Sequence, residues 1–559
     1  MSFDLVVRGG RVVDGTGMPS FTADVAVRGG QIVRIGRVAE PARRVVDADG
    51  CVVAPGFIDV HTHYDAQLHW EPTASPASWH GVTTVLAGNC GFTLAPAKPE
   101  DTIWLAQMLS RVEGMSAETL AVGLRWQGGS FGQYLHALEG RIAVNMGAYV
   151  GHSAIRRHVM GDAASDRRAT DDEVRAMQAL VRQAMHEGAI GFSSSQLDIH
   201  VAHDGREVPS NHAAPEEIVA LAAVLAEFDH GAIEFIPRSF VEGYSESDRR
   251  LLHDMYRASG RPIELNTLVP LPHQMDGWRR GVEFCRETFR RGVRLHPMFA
   301  TNELGAHFSL DTTFLFDEMP SFREVLCLAS PMREQRLRDR AVRARMLDEL
   351  ANPAGRAFVF VWQVVFVEAV TKPEHELFVG LHLADVAEAV GKAPLDAFLD
   401  LALAEDLRTQ FLVGAPKDPR RDAATAELVR DPIVMAGSSD GGAHVLSFTG
   451  ADYTTRLLSE WVPGTLTLEQ AVSKLTMVPA VVHGIHDRGV IREGAAADLV
   501  VFDPARLRCG PTRLVHDFPA GGGRYVVDAE GYVASVVNGE VAFERGAYTG
   551  VLSGQVLRG

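Results

Sequence analysis

Short hydrophobic runs alternate with polar positions along the first 55 residues, a pattern that predicts β-strands. The runs lie at residues 5–7, 11–13 and 25–27. Gly9-Gly10 and Gly29-Gly30 separate them and favour turns. A meander of this size is too small to be stable alone.

The last part of the chain has the same pattern. Residues 497–502 form an apolar run that stops at Asp503-Pro504. The runs at residues 533–537 and 541–543 flank Asn538-Gly539, a typical hairpin turn. Because each end alone would expose the edges of its sheet, we expect both ends to form one small β-sandwich. Two unrelated β-rich ends are the alternative.

Between these ends, a helical segment repeatedly finishes at a glycine and an apolar strand follows. The glycines are Gly81, Gly188, Gly231, Gly260 and Gly292. Glycine ends helices readily, and strands of parallel sheets are apolar because both faces are buried. The pattern therefore predicts an α/β fold. An open sheet would give the same pattern, but the length and the motifs below favour a (β/α)₈ barrel of the TIM type.

The stretch from about Glu303 to Ala424 departs from this rhythm and is predicted to be an insertion over the barrel mouth. The predicted organisation has three parts. Residues 1–55 are the first part of the β-sandwich. Residues 56–485 are the barrel with its insertion, and residues 486–559 complete the sandwich and add a tail.

Composition narrows the class of protein. Of the 559 residues 46% are hydrophobic, and the net charge of -17 disfavours nucleic acid or an anionic membrane as a partner. We find no signal-peptide pattern and no uninterrupted apolar run long enough for a membrane span. The five cysteines are scattered, which argues against a disulfide framework. We therefore expect a cytoplasmic protein.

The strongest chemical motif is the segment GFIDVHTH at residues 56–63, in which His61 and His63 end an apolar strand. Residues two apart on a strand share one face, so both imidazoles would point into the barrel mouth, where such enzymes place their sites. Imidazole is a common ligand of zinc-like ions. We therefore predict that both are metal ligands rather than ordinary polar strand ends.

Cys90 follows the next strand, in Gly88-Asn89-Cys90-Gly91. A thiolate at the mouth would bind the same kind of cation. The alternative is a small buried hydrophobic residue.

Asp440 ends a late apolar strand in Ser438-Ser439-Asp440 and precedes two glycines. It is placed to hold the metal or to take a proton from water, whereas a turn or helix cap is the alternative. His444 could contact substrate or be an ordinary loop histidine.

Taken together, the sequence resembles the amidohydrolase superfamily, and within it the D-aminoacylase (N-acyl-D-amino-acid deacylase) branch. The matching segments follow one another in family order along nearly the whole chain and lie at residues 56–63, 81–84, 88–91, 150–152, 439–440 and 494–499. The resemblance implies a (β/α)₈ barrel, a β-sandwich built from both termini and a divalent metal, usually zinc. By motif position, His61 and His63 match the first ligand pair, Cys90 the cysteine ligand and Asp440 the catalytic aspartate.

The resemblance also implies a reaction. Metal-activated water attacks an amide carbonyl while Asp440 acts as general base and then as general acid. His152 could help to stabilise the oxyanion, or it could be a structural hydrogen-bonding residue. His296 could be a further pocket residue, or a polar strand end.

Several departures from the branch affect the metal site. D-aminoacylases carry a histidine on each of the fifth and sixth strands, but the corresponding segments here, residues 233–238 and 263–267, contain none. The candidate fourth strand, residues 188–195, has no lysine, and the lysine that anchors the substrate carboxylate after the sixth strand is also missing. We therefore predict one zinc ion per chain, held by His61, His63, Asp440 and Cys90. Glu234 and Glu264 are the candidate extra ligands if two metals bind.

The predicted function is hydrolysis of a carbon–nitrogen bond of the amide kind in a small-molecule substrate. Cyclic-amide hydrolysis, deamination or decarboxylation on the same fold is one alternative, and a non-catalytic binding or assembly protein is another. By analogy with related barrels, a homo-oligomer is expected.

Overall fold

Five strands occupy the first 55 residues in the computed structural model, which describes residues 2–271, 274–301, 305–353, 356, 359–414 and 418–559. They are β1 (Phe3–Val12), β2 (Phe21–Arg28), β3 (Gln31–Gly36), β4 (Ala42–Asp47) and β5 (Val52–Pro55). The predicted turn at Gly29-Gly30 joins β2 to β3. The predicted turn at Gly9-Gly10 is wrong. Strand β1 continues through it with a bulge, because Gly9 takes a φ of 74° and donates its N–H to Asp24 Oδ1 at 2.8 Å.

The next part of the chain alternates strands with helices. The strands are β6 (Phe57–Asp59), β7 (Val82–Ala87), β8 (Asn145–Ala148), β9 (Val150–Gly151), β10 (Gly191–Ser195), β11 (Ala232–Ile236), β12 (Ile263–Leu268) and β13 (Leu295–Phe299). The helices are α1 (Thr102–Glu113), α2 (Ala117–Gly123), α3 (Phe131–Leu138), α4 (His152–Met160), α5 (Asp171–Glu187), α6 (Pro215–Ala223), α7 (Glu246–Ser259) and α8 (Gly277–Arg290).

The glycine pattern marks real element boundaries in this region. Gly188 and Gly260 cap α5 and α7 in the left-handed conformation, with φ of 107° and 67°. A strand begins within a few residues after each of the five glycines that were predicted to precede one. The strands β7, β10 and β11 are buried at every position, as expected for strands covered on both faces.

Strand β13 is followed by a unit with its own hydrophobic core. Its elements are β14 (Ala306–Phe308), α9 (Pro320–Leu326), α10 (Met332–Leu337), α11 (Arg340–Leu350), β15 (Val365–Ala369), α12 (Leu383–Val390), α13 (Pro394–Ala404) and β16 (Gln410–Val413). The three strands form an antiparallel sheet in the order β14-β16-β15. Phe308, Phe316 and Phe398 pack in the core.

The predicted bounds of the insertion can be compared with the bounds of this unit at one end. The predicted start at Glu303 lies outside the described residues. The predicted end at Ala424 falls inside a helix, α14 (Pro419–Arg430). Leu428 and Val429 of α14 pack in the main core rather than in the core of the unit.

The alternation then resumes with β17 (Met435–Ala436), α15 (Tyr453–Glu460), α16 (Leu468–Leu475) and α17 (Met477–Val482). One parallel sheet has the order β17-β13-β12-β11-β10-β9, and a second has the order β6-β7-β8. Only Tyr149 separates β8 from β9. A parallel bridge between Thr62 and Gly441 joins the residues that follow β6 to those that follow β17. The carboxyl ends of these strands therefore meet at one edge.

The remaining strands are β18 (Leu499–Phe502), β19 (Arg508–Val515), β20 (Arg524–Glu530), β21 (Tyr532–Val537), β22 (Glu540–Glu544) and β23 (Ala547–Tyr548). The predicted turn at Asn538-Gly539 joins β21 to β22. Strand β18 pairs antiparallel with β5, so the two ends of the chain share one nine-stranded sheet. Within the described ranges, none of the helices is both long and apolar enough to cross a membrane.

Candidate metal centre

Three potential ligand atoms converge where β6 and β7 end. His61 and His63 follow β6, and Cys90 follows β7. Cys90 Sγ lies 3.4 Å from His61 Nε2 and 3.9 Å from His63 Nε2. One ligand atom from each of the three buried side chains lies within 4.8 Å of the other two. Across the described residues, this is the one group of three or more His, Cys, Asp or Glu side chains with such spacing.

Hydrogen bonds from one side chain to two backbone carbonyls link these strand ends. The side chain of Asn89 donates to Leu86 O at 2.9 Å and to Thr62 O at 3.0 Å, so it links the histidine segment to the cysteine segment. The preceding Gly88 has a φ of 79°, and a Cβ there would lie 2.5 Å from Tyr149 O. Only glycine fits this turn without strain, and the turn carries Cys90 to the histidines.

Asp440 reaches the same place from the loop after β17. Ser439 Oγ donates to His61 O at 3.0 Å, and His63 N donates to Gly441 O at 2.7 Å. Asp440 Oδ1 then lies 3.3 Å from His61 Nε2 and 3.8 Å from His63 Nε2. Burial acts to raise the pKa of Asp440, but the hydrogen bond and charge of His61 outweigh it and lower this pKa to about 2. Asp440 is therefore a carboxylate at neutral pH.

Glu113 lies behind His63. Its Oε1 is 3.1 Å from His63 Nδ1, on the side of the ring opposite the atom that faces Cys90. Glu113 is the last residue of α1 and is 1% exposed. Burial, followed by the charge of Asp440, raises the pKa of this carboxyl.

Two further glutamates lie behind His61. Oε1 of Glu264 is 3.7 Å from His61 Nδ1, and Oε1 of Glu234 is 3.8 Å from it. Glu234 Oε2 also accepts the backbone N–H of Cys90 at 2.7 Å, and burial raises the pKa of Glu234 to about 8. Glu264 Oε2 lies 2.6 Å from His483 Nε2. Both glutamates therefore lie on the Nδ1 side of His61. Each also has a second partner, which is the Cys90 backbone for Glu234 and His483 for Glu264.

This donor set fits a divalent metal. Both Nε2 atoms face Cys90 Sγ, whereas both Nδ1 atoms face glutamate carboxyl groups. Metal-ligating histidines have this arrangement, because the carboxylate fixes the tautomer and orients the ring. Two imidazoles and one thiolate are the ligand types that zinc prefers.

Two of the predicted substrate-binding residues have described side-chain contacts that do not include the ligand residues. His152 has Nδ1 2.8 Å from Ser194 Oγ and Nε2 2.9 Å from Glu217 Oε1, so both of its nitrogens are occupied within the protein. This favours the structural alternative for His152. His296 lies near the start of β13 beside Phe289, and its described contacts do not include the ligand residues.

The third predicted residue, His444, borders the mouth. Its ring stacks on Phe314 of the inserted unit, with ring centroids 4.3 Å apart. His200 is a neighbour that the sequence analysis missed. Its Nδ1 lies 3.0 Å from Ser195 Oγ, and burial, then the charge of His444, lowers its pKa to about 3. The side chains of the inserted unit therefore meet the loops around the cluster.

Sequence reasoning also missed Glu113 and Asn266. Asn266 lies on β12, and its Nδ2 is 3.2 Å from His61 Nε2. The available signal was a polar residue at the carboxyl end of the sixth parallel strand. The family pattern has a histidine on that strand, so it gave no role to an asparagine. Glu113 gave no comparable signal, because nothing local in a helix end indicates a partner fifty positions away.

Comparisons with known proteins identify the class of protein that has this site. The model of the Amidohydrolase family matches residues 44–543. The chain therefore belongs to this family, and the family prediction is confirmed.

Within the family, the full-length similarity is to deacylases of the D-aminoacylase group. The chain is 30% identical to a D-aminoacylase of Alcaligenes xylosoxydans xylosoxydans, over 99% of this chain and 97% of that protein. It is also 30% identical to an N-acyl-D-aspartate deacylase of the same organism, over 90% of this chain and 86% of that protein. The sequence-based identification of the branch and of an amide-type hydrolase is confirmed at this level.

A solved structure shows the same relationship. The N-acyl-D-glutamate deacylase of Bordetella bronchiseptica, crystallised with zinc and a phosphonate inhibitor, superimposes with a TM-score of 0.69 at 26% identity, covering 100% of each chain. The fold is thus of the α/β, TIM-barrel-like amidohydrolase type. This similarity supports a divalent metal in the protein.

Proposed function

We propose that this protein is a mononuclear, metal-dependent deacylase that hydrolyses the amide bond of an N-acyl amino acid. The observation that carries the proposal is the convergence of His61 Nε2, His63 Nε2 and Cys90 Sγ beside the Asp440 carboxylate. The relatives named D-aminoacylase and N-acyl-D-aspartate deacylase support the substrate class.

A divalent metal held by His61, His63, Cys90 and the Asp440 carboxylate would supply a Lewis acid and would activate water at neutral pH. The Asp440 carboxylate, whose Oδ1 lies 3.3 Å from His61 Nε2, is placed to accept the proton of the attacking water. It then donates that proton to the leaving nitrogen, which departs as an amine. One side chain thus serves as base and acid in turn.

Three glutamates lie behind the two histidines. Glu113 Oε1 is 3.1 Å from His63 Nδ1, and Glu264 and Glu234 lie 3.7 and 3.8 Å from His61 Nδ1. We propose one zinc ion rather than two, because Glu234 and Glu264 approach the Nδ1 side of His61 and the cluster atoms lie on its Nε2 side. Of the three predicted substrate-binding residues, His444 is the one that we propose to contact substrate.

We also propose that the barrel is closed and that the two ends of the chain form a sandwich. The Thr62–Gly441 bridge supports closure of eight parallel strands, with β8 and β9 counted as one. The pairing of β5 with β18 supports a sandwich built from residues 1–55 and 486–559 around a barrel of residues 56–485. A homo-oligomer and a cytoplasmic location stay predictions.

The direct test is release of free amine from a panel of N-acetyl-D-amino acids, N-acetyl-L-amino acids and cyclic amides. We expect an N-acetyl amino acid to be hydrolysed, and a chelator to abolish the activity until zinc is restored. Asp440→Asn, supplied with saturating zinc, should lose a factor of about 10²–10⁴ in kcat. Activity that survives both the chelator and Asp440→Asn, or activity on cyclic amides alone, would contradict the proposal.

The alternatives raised by the sequence have weaker support. Cyclic-amide hydrolysis, deamination and decarboxylation are not favoured by full-length relatives that are deacylases. A non-catalytic role leaves unexplained why two histidines, a cysteine and an aspartate from three separate strand ends meet in one buried cluster.

A further inference from the structure

The side-chain amide of Asn266 faces the cluster from the end of the sixth parallel strand. Its Nδ2 lies 3.2 Å from His61 Nε2, and Asp440 Oδ1 and Cys90 Sγ lie 3.3 Å and 3.4 Å from that same histidine nitrogen. Asn266 is 6% exposed. A buried amide this close to the ligand atoms is available to the chemistry of the site.

Ser438 fixes which end of the amide faces the cluster. Ser438 Oγ donates a short hydrogen bond to Asn266 Oδ1, so the oxygen is occupied and the NH₂ group points toward His61. Ser438 is itself held, because its backbone N–H donates to Met298 Sδ at 3.0 Å. The orientation of the amide is therefore set by residues from three neighbouring strands.

The two amide protons need an acceptor when the site is loaded. The lone pair of His61 Nε2 then belongs to the metal, so Asn266 cannot donate to it. An oxygen of the molecule bound at the centre is then a well-placed acceptor, because the amide nitrogen already faces that centre. During amide hydrolysis the carbonyl oxygen gains negative charge, and a preorganised neutral donor stabilises that charge.

We propose that Asn266, oriented by Ser438, is a catalytic hydrogen-bond donor to the carbonyl oxygen of the scissile amide. The proposal rests on the proposed amide hydrolysis and deepens it. It also distinguishes Asn266 from a metal ligand, because the amide oxygen faces Ser438 and the nitrogen faces the centre. Ser438 is a positioning residue, since it acts through Asn266.

The experiment compares wild type with Asn266→Ala, the nearly isosteric Asn266→Asp and the control Thr267→Val. Thr267 is the next residue on the strand, and its hydroxyl donates to Met298 O at 3.2 Å. The first readout is zinc content per chain. The second is the Kd of acetohydroxamate, a small oxygen-donor probe, measured by the visible spectrum of the cobalt-substituted protein. The third is kcat on whichever N-acetyl amino acid the wild type hydrolyses.

We expect zinc content to be unchanged in all variants. Acetohydroxamate should bind about ten-fold more weakly to both Asn266 variants, as for loss of one hydrogen bond. Their kcat should fall by a factor of about 10²–10³, as for loss of one oxyanion donor. Thr267→Val should match wild type in all three readouts.

Two results would overturn the proposal. Loss of zinc from Asn266→Ala would make the amide a ligand, and an unchanged acetohydroxamate Kd would remove the donor role. If the wild type hydrolyses no amide but the Asn266 variants still bind acetohydroxamate more weakly, the donor role is supported and the proposed reaction fails instead.

Discussion

Replacement of Glu113 by glutamine tests whether the carboxylates behind the histidines stabilise the metal. Glu113 Oε1 lies 3.1 Å from His63 Nδ1, and both side chains are almost wholly buried. Glutamine keeps the size of the side chain but cannot ionise when a divalent cation binds beside it. Loss of such a partner typically weakens metal binding 10–100-fold, or by about 1.4–2.7 kcal/mol. We expect Glu113→Gln to fall in this range.

The effect at Glu113 should exceed that of either glutamate behind His61. Glu264 and Glu234 lie farther from the ring, at 3.7 and 3.8 Å, and each can compensate for loss of the other. Single Glu→Gln changes there should therefore weaken zinc binding less than Glu113→Gln does. The Glu234→Gln change also disturbs the hydrogen bond to the Cys90 backbone.

The assay is competition for zinc against a chromophoric chelator at constant pH. Glu118→Gln is the matched control, because Glu118 lies five residues away, is exposed and undergoes the same change of charge. The control should bind zinc as the wild type does. If Glu113→Gln binds zinc within two-fold of wild type while remaining folded, the reasoning about the rear carboxylates is refuted.

Three other predictions follow from buried side chains. Cys90→Ala should lose zinc in elemental analysis, whereas Cys285→Ala, an equally buried thiol, should keep it; equal zinc in both would remove Cys90 from the site. His152→Gln should keep its zinc but lower the free energy of unfolding by about 1–3 kcal/mol, because it leaves the buried Glu217 carboxylate less well bonded; zinc loss would contradict this. Burial raises the pKa of Asp317 to about 6. The folded state then binds more protons there than the unfolded state from about pH 4 to pH 6, so the unfolding free energy should fall by up to about 3 kcal/mol over that window. Asp317→Asn should reduce this decline in pH-dependent unfolding, and an unchanged slope would contradict the assignment.

Much of the fold could be predicted because its signals are local. A glycine that ends a helix before an apolar strand is recognisable within about ten residues, and Gly188 and Gly260 are such helix caps. The alternation in GFIDVHTH likewise places two histidines on one face of a strand. Cys90 and Asp440 could be found because each follows an apolar run.

Other features could not be predicted because they depend on contacts between distant segments. Gly9-Gly10 has the composition of a turn, yet pairing with β2 keeps the strand continuous through a bulge. Glu113 reaches His63 only because α1 ends beside the loop after β17, where Val445 N donates to Glu113 O at 3.2 Å.

The role of Asn266 depends on Ser438, which lies 172 positions later in the chain. Neither residue has a recognisable motif, and the family pattern directed attention to absent histidines. Packing of one strand end against another decided which polar side chains face the cluster.

The measurement that tests the central claim most directly is the metal content of protein purified without added metal or chelator. Wild type is compared with a His61→Ala/His63→Ala variant by elemental analysis. The proposed centre predicts about one zinc ion per chain in wild type and none in the variant. Two metal ions per wild-type chain, or zinc retained by the folded variant, would contradict a single site built on His61, His63 and Cys90.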